Sequence, residues 1–225
     1  MKILCTQALE HVFPAIVPHI SGDSVVYNTT GALIAELESG AGGDLLLVSR
    51  QSLDELARLG KVEGASLADI ASTPVGIAAR QGTGKLDLST VEAVKKLLLA
   101  AGPVAYPEPS GGGVSGIHFA SMLDKLGIAD EVNSRAILVK AGGVAADYVA
   151  SGQAALAVQM ISELMPVDGI EIAGTLPGEF AKIIAFSGAV TAGSAHASEA
   201  LGVLQALKTP AAQAIMRKAG LDPAP

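Results

Sequence analysis

"SVVYNTTGALIAELESGAGGDLLLVSRQSLDELARLG", residues 24–60, holds the pattern that decides the fold. Two apolar runs, "SVVYN" and "DLLLVS", each lead into a stretch with helical spacing, "GALIAELESG" and "QSLDELARLG". Strand into helix, repeated, predicts parallel strands whose faces are covered by helices. Upstream, "KILC" reads as a first strand and "ALEHVFPAIV" as a helix. Downstream, "VGIAAR" after Pro74 reads as a buried strand, "DLSTVEAVKKLLLAAG" as a helix capped by Ser89 or Thr90, and "PVAYP" as the next strand. A glycine stretch then opens a helix ending at Gly127, followed by strand "AILVKA", helix "VAADYVASG" and strand "AALAVQM". "IEIAGTLP" and "AKIIAFSGAV" supply later strands, and helices "ASEALGVLQALK" and "PAAQAIMRKAGLDP" close the chain. The expected class is α/β, with two αβ sets in series.

Half of the 225 residues are apolar, enough to bury a core as one large domain or two small lobes. Fifteen Lys and Arg stand against 22 Asp and Glu, with three Tyr, four Phe and no Trp. That balance lacks both the basic density and the stacking platforms of a nucleic-acid surface. It does not exclude an anionic ligand, because local dipoles and a few cations set the potential inside a site. The single cysteine, Cys5, excludes an internal disulfide and a zinc cluster. No apolar run approaches the roughly 20 residues that span a bilayer. "MKILCTQALEHVF" has neither a long apolar core nor a small-residue cleavage site, so the expected location is the cytoplasm, or the periplasm if a leader has been removed.

"SGGGVSGIHF", residues 110–119, is the most distinctive local motif. It is not a Walker loop, since Ile117 follows Gly116 where Lys would be needed, and it lacks the acidic partner of a dinucleotide fingerprint. Nor is it a Gly-x-Ser-x-Gly elbow, because Ile117 takes the last glycine's place. The remaining reading has Ser115 as helix N-cap, with the glycines from Gly111 to Gly116 leaving bare N–H groups for an anion at the positive end of the helix. A flexible loop with an ordinary cap is the plainer alternative. Thr29, Thr30 and Gly31 repeat the arrangement in the first αβ set, as a second anion cradle or a second cap.

His118, in the first turns of its helix, is a candidate for proton transfer near neutral pH. Cys5, at the end of the first strand, and Glu108, beside two prolines, are candidates to assist it; a free cysteine is more often a small buried hydrophobe. Arg50, directly after "LLLVS", is the expected fixed cation for a carboxylate, against solvation as the alternative. Gln159, near a strand end, could hydrogen-bond a ligand.

"NTTGALIAELESGAGGDLLLVSRQSLDEL" resembles the segment of molybdate-type periplasmic binding proteins in which a hydroxyl pair opens a helix and an Asp-apolar-Ser strand follows. "AYPEPSGGGVSGIHFASMLDKLGI" resembles that family's second-lobe strand, Pro-Glu turn and helix opening, and "LKTPAAQAIMRKAGLDP" resembles its closing element. The resemblance implies a type II solute-binding fold, with two lobes of mainly parallel sheet flanked by helices, two crossing strands as hinge and a ligand cleft between them. Lobe 1 is then 1–79 with 184–225, and lobe 2 is 80–183. It also implies ligand contacts at Thr29, Thr30, Ser115, Gly116, Gly143, Val144 and Gln159.

Two departures alter the expected ligand. Gln7-Ala8-Leu9 stands where the family has a small-Ser-Leu cradle, and Gln159 or Met160 replaces its tyrosine. The altered donors favour a carboxylate over molybdate. With no nucleotide loop, metal cluster or flavin motif in the sequence, the expected chemistry runs without a cofactor or metal, on acid–base side chains. It is an isomerisation or tautomerisation of a small unsaturated di- or tricarboxylate. The alternative is a transport receptor for oxyanions or small carboxylates. The chain is compatible with a homodimer.

Overall fold

The computed structural model describes residues 1–19 and 24–225 and divides the chain into two compact units. Unit 1 is Met1–Thr73 with Ile184–Pro225, and unit 2 is Pro74–Ile183. The fold is α/β throughout. No helix among the described residues is long and apolar enough to cross a membrane.

In unit 1, strands β1 (Ile3–Thr6), β2 (Val25–Asn28) and β3 (Leu45–Ser49) lie parallel, with β1 central. Helix α1 is a single turn, Phe13–Ile16, preceded by a 3₁₀ turn over Gln7–Leu9. One helix over "ALEHVFPAIV" was expected; Pro14, tolerated in the first turn of α1, cannot continue a ladder that begins further upstream. Helices α2 (Thr30–Glu38) and α3 (Arg50–Arg58) follow β2 and β3. Leu33, Leu53 and Leu56 from these helices pack with Leu4, Leu46 and Val48 of the strands. Each such leucine contributes roughly 1.5–3 kcal/mol on burial.

Strand β4 is longer than "VGIAAR", running from Ala68 to Arg80 straight through Pro74. The proline falls where the strand passes from one pairing partner to the next, a position that suits a residue without an N–H. Ala71 and Ser72 pair with the short β10 (Asp222–Pro223), whereas Val75 to Ala79 pair with β7 (Leu156–Met160).

In unit 2, α4 (Val91–Ala100) is capped by the Thr90 hydroxyl, which accepts from the Ala93 N–H at 3.1 Å. Strand β5 (Val104–Pro107) leads to α5 (Val114–Leu126), which stops at Gly127 with φ +65°. A short α6 (Ala129–Asn133), not foreseen from the sequence, precedes β6 (Ile137–Val139). Helix α7 (Ala145–Ala150), β7 (Leu156–Met160), the one-turn α8 (Ile161–Leu164) and β8 (Ile170–Thr175) complete the unit. Strand β5 lies parallel to both β6 and β7, while β4 is antiparallel to β7 and β8. The Arg135 guanidinium donates to the carbonyls of Leu98, Leu99 and Ala101, closing the open end of α4. The chain returns to unit 1 through β9 (Ile183–Val190), antiparallel to β3, and ends in α9 (Ala197–Leu207) and α10 (Pro210–Lys218).

Candidate functional site

The polar residues singled out above cluster, within each unit, where parallel strands end and helices begin. This is the edge at which open α/β sheets place their ligands. In unit 1, Thr29 is the N-cap of α2, and its hydroxyl accepts from the Ala32 N–H at 3.3 Å. Its own N–H is held by the Asn28 side chain at 2.9 Å. Thr30 is buried, and its Oγ1 accepts from the Ser49 N–H at 3.4 Å, so the ends of β2 and β3 are tied together. Gly31 lies in the same first turn.

Ser49 itself donates to the Ser52 hydroxyl at 2.8 Å. These two serines were missed by the sequence reading. The signal is present in the sequence, since Ser49 ends β3 directly ahead of a helix, as Thr29 follows β2.

Arg50 is not an uncommitted cation. Its Nη1 meets Asp69 at 2.5 Å and its Nε meets Asp54 at 2.9 Å. Asp69 also accepts from the Ser187 hydroxyl at 2.6 Å. The Ser187 bond first, and the Arg50 guanidinium second, hold the Asp69 carboxyl below its ordinary value. A ligand carboxylate would have to compete with both aspartates for Arg50, whose ion pairs brace α3.

Cys5 is fully buried, and its Sγ reaches only the Thr6 carbonyl, at 3.6 Å. Burial, reinforced by Glu10, pushes the thiol well up, which disfavours the reactive thiolate. Cys5 thus packs in the core as part of β1.

In unit 2 the turn after β5 carries Glu108, whose N–H donates to the Val139 carbonyl at 2.8 Å. The cap of α5 is Gly113, not Ser115 as expected, and it offers no side chain. Ser115 instead sits in the first turn, only 1% exposed, and its hydroxyl makes no hydrogen bond with the described residues. The N–H groups of this turn have no carbonyl one turn back to bond to. Gly116 serves packing as well: a Cβ there would overlap the Pro107 carbonyl, so only glycine lets α5 start so close to β5.

His118, partly buried, lies three residues beyond Ser115, and its Nε2 stands 2.9 Å from the Phe180 carbonyl. In the turn after β6, the Gly143 N–H donates to the Lys140 carbonyl, and Val144 caps α7 through its backbone alone. Gln159 is buried on β7, and its Oε1 accepts from the Ala145 N–H at 2.7 Å. Its amide thereby holds the start of α7.

Among the described residues, no three His, Cys, Asp or Glu side chains converge as metal ligands would. Open grooves of about 420 and 450 Å³ flank the loop 81–89 and share Lys85, Leu86 and Ala173; none of the candidate site residues named above lines them.

The family profile described as bacterial extracellular solute-binding protein matches residues 24–222. A curated relative, aconitate isomerase from a Pseudomonas species, is 34% identical over 199 residues, covering 88% of this chain and 74% of the relative. The solved periplasmic molybdate-binding protein of Azotobacter vinelandii superposes with a TM-score of 0.77 at 20% identity, covering 98% of each chain. The sulfate-binding protein of Mycobacterium tuberculosis superposes at 0.70 and 17% identity, over 100% of this chain and 86% of that one. The fold is thus of the type II periplasmic-binding kind, similar to that of molybdate-binding proteins.

Proposed function

The chain belongs to the bacterial extracellular solute-binding protein family, and from that premise we propose that it is an isomerase acting on a small unsaturated di- or tricarboxylate. The observation that carries this reading is the 34% identity to an aconitate isomerase across most of the chain. The chemistry of the strand-end residues is consistent with it. Thr30 with the α2 turn, and Ser115 and Gly116 with the α5 turn, supply hydroxyl and backbone donors suited to carboxylate oxygens. His118, one helical turn from Ser115, supplies a group that can both accept and return a proton near neutral pH. Glu108, at the end of β5, is the remaining acid–base candidate on the same edge.

Isomerisation by proton transfer removes a proton from carbon next to an unsaturated, carboxylate-bearing centre and returns it elsewhere. Donors already oriented on the carboxylate stabilise the charge that develops there. In the hinge arrangement proposed for this family, residues 1–79 with 184–225 act as one lobe and 80–183 as the other.

The second reading, a receptor that delivers oxyanions or carboxylates to a transporter, is favoured by the likeness in fold to periplasmic molybdate- and sulfate-binding proteins. The two readings separate in one experiment: incubate the protein with cis- and trans-aconitate and related unsaturated diacids, follow interconversion by proton NMR, and measure binding by calorimetry. Interconversion supports the isomerase. Tight binding of molybdate or sulfate, with no interconversion of any acid, would establish the receptor instead.

A further inference from the structure

We propose that His118 works as its Nε2–H tautomer, so that Nδ1 is the atom that takes and returns the proton, and that the Phe180 backbone carbonyl fixes this assignment. The proposal rests on the isomerase reading and goes beyond it by naming the atom and the group that positions it. A carbonyl oxygen can only accept, so at 2.9 Å Nε2 must carry the hydrogen. In the neutral ring Nδ1 then has the lone pair, and it makes no hydrogen bond with the described residues.

The acceptor cannot easily swing away. Phe180 is buried and ends a 3₁₀ turn, Gly178–Phe180. Its N–H donates to the Pro177 carbonyl at 3.2 Å, and the Ala181 N–H donates to the Gly178 carbonyl at 3.1 Å. Two residues on, the Lys182 carbonyl takes the Val75 N–H at 2.9 Å, sewing the segment to β4. On α5, Ser115 and His118 are separated by three positions, which puts their Cβ atoms about 5–6 Å apart on one face. A substrate oxygen held at Ser115 therefore lies within reach of the ring.

The proton balance closes without another reactant. Nδ1 takes a proton from an allylic carbon of the substrate, and the C–H electron pair is delocalised into the unsaturated carboxylate. The ring becomes an imidazolium with Nε2–H still on Phe180. Nδ1–H then gives its proton to a different carbon or to the opposite face, and the neutral Nε2–H ring is restored. No electrons are gained or lost by the protein.

The test joins ¹⁵N NMR of the imidazole, at a pH where the ring is neutral, with turnover and binding of cis- and trans-aconitate by wild type and His118→Gln. The glutamine amide places an N–H near the position of Nε2, so it can keep the bond to Phe180 and hold the fold, but it cannot act as a base. The expected result is an Nε2–H ring in the wild type, with aconitate binding and thermal stability retained in His118→Gln and turnover lowered about 10²–10⁴-fold. An Nδ1–H ring in a wild type that turns over would overturn the assignment and leave the isomerase reading intact. Near-normal turnover by His118→Gln would overturn it as well, reducing the ring to a brace between α5 and the 178–180 turn. A wild type that binds aconitate without interconverting it would remove both. Should His118→Gln fail to fold, the NMR tautomer of the wild type still decides the assignment.

Discussion

At the end of β2 the chain caps its next helix with a side chain, and at the end of β5 it does so with a glycine. The Thr29 hydroxyl takes the Ala32 N–H, satisfying α2 from within. Gly113 has nothing to offer α5, so the N–H groups of Val114, Ser115 and Gly116 begin the helix without a side-chain cap. One helix start is capped by its own sequence; the other has no side-chain cap, and on the proposed reading its N–H groups are what a ligand's oxygens would meet. The surroundings differ in the same sense. In unit 1 the neighbouring Ser49 and Ser52 hydroxyls bond each other and Arg50 is neutralised by Asp54 and Asp69. In unit 2 a buried serine and a histidine stand on one helix face. On the proposed reading, the uncapped start of α5 takes a carboxylate and His118, on the same helix, moves the proton.

The largest effect is expected from Gly116→Ala. Its Cβ would meet backbone, the Pro107 carbonyl, which cannot rotate aside. We expect a loss of about 3 kcal/mol in chemical denaturation and loss of ligand binding. Gly188→Ala in unit 1 is the matching control, since its Cβ would meet the side chains of Leu47 and Leu204, which can shift, and it should cost less. Thr29→Ala removes the α2 cap and should lower stability by about 1 kcal/mol, measured by the denaturation midpoint.

Arg50→Ala tests whether that cation braces or binds. The pair with Asp69 is half-exposed, so a loss of about 0.2–1 kcal/mol is expected, with aconitate affinity little changed. The folded-state value of Asp69 is depressed, so its contribution is present above the unfolded carboxyl's value of about 3.9 and is lost as pH falls through the lower folded value. The gap between wild type and variant should accordingly narrow on acidification below about pH 4. The smallest change sharpens the opening contrast directly. Gly113→Ser gives α5 a side-chain cap like that of α2, which should raise stability by a few tenths of a kcal/mol while weakening aconitate binding several-fold.

The alternation of apolar runs with helical spacing carried the fold, because buried parallel strands and their covering helices must be apolar in those periods. β3, α4, β5 and β7 lie where the pattern puts them. Short elements escaped it. α6 and α8 are too brief for a period to show, and the helix over residues 8–17 was interrupted at Pro14. The apolar pattern starts β4 after Pro74, whereas the proline falls inside it, where the strand changes pairing partners. Residue type marked the strand-end polar groups but not their partners. Nothing near Arg50 in sequence announces Asp69, 19 positions away, as its partner. Nothing local to Gln159 announces the Ala145 N–H on its oxygen. Ser115 looked like a cap, yet the helix begins one residue before it and the serine faces inward. Pairings of this kind depend on tertiary contacts, which no local spacing encodes.

The most direct test of isomerisation by proton transfer is to follow aconitate in deuterated water by NMR with wild-type protein. The account predicts that the cis and trans isomers interconvert and that solvent deuterium appears at carbon as they do. Saturable binding of aconitate, with neither interconversion nor deuterium uptake, would contradict it.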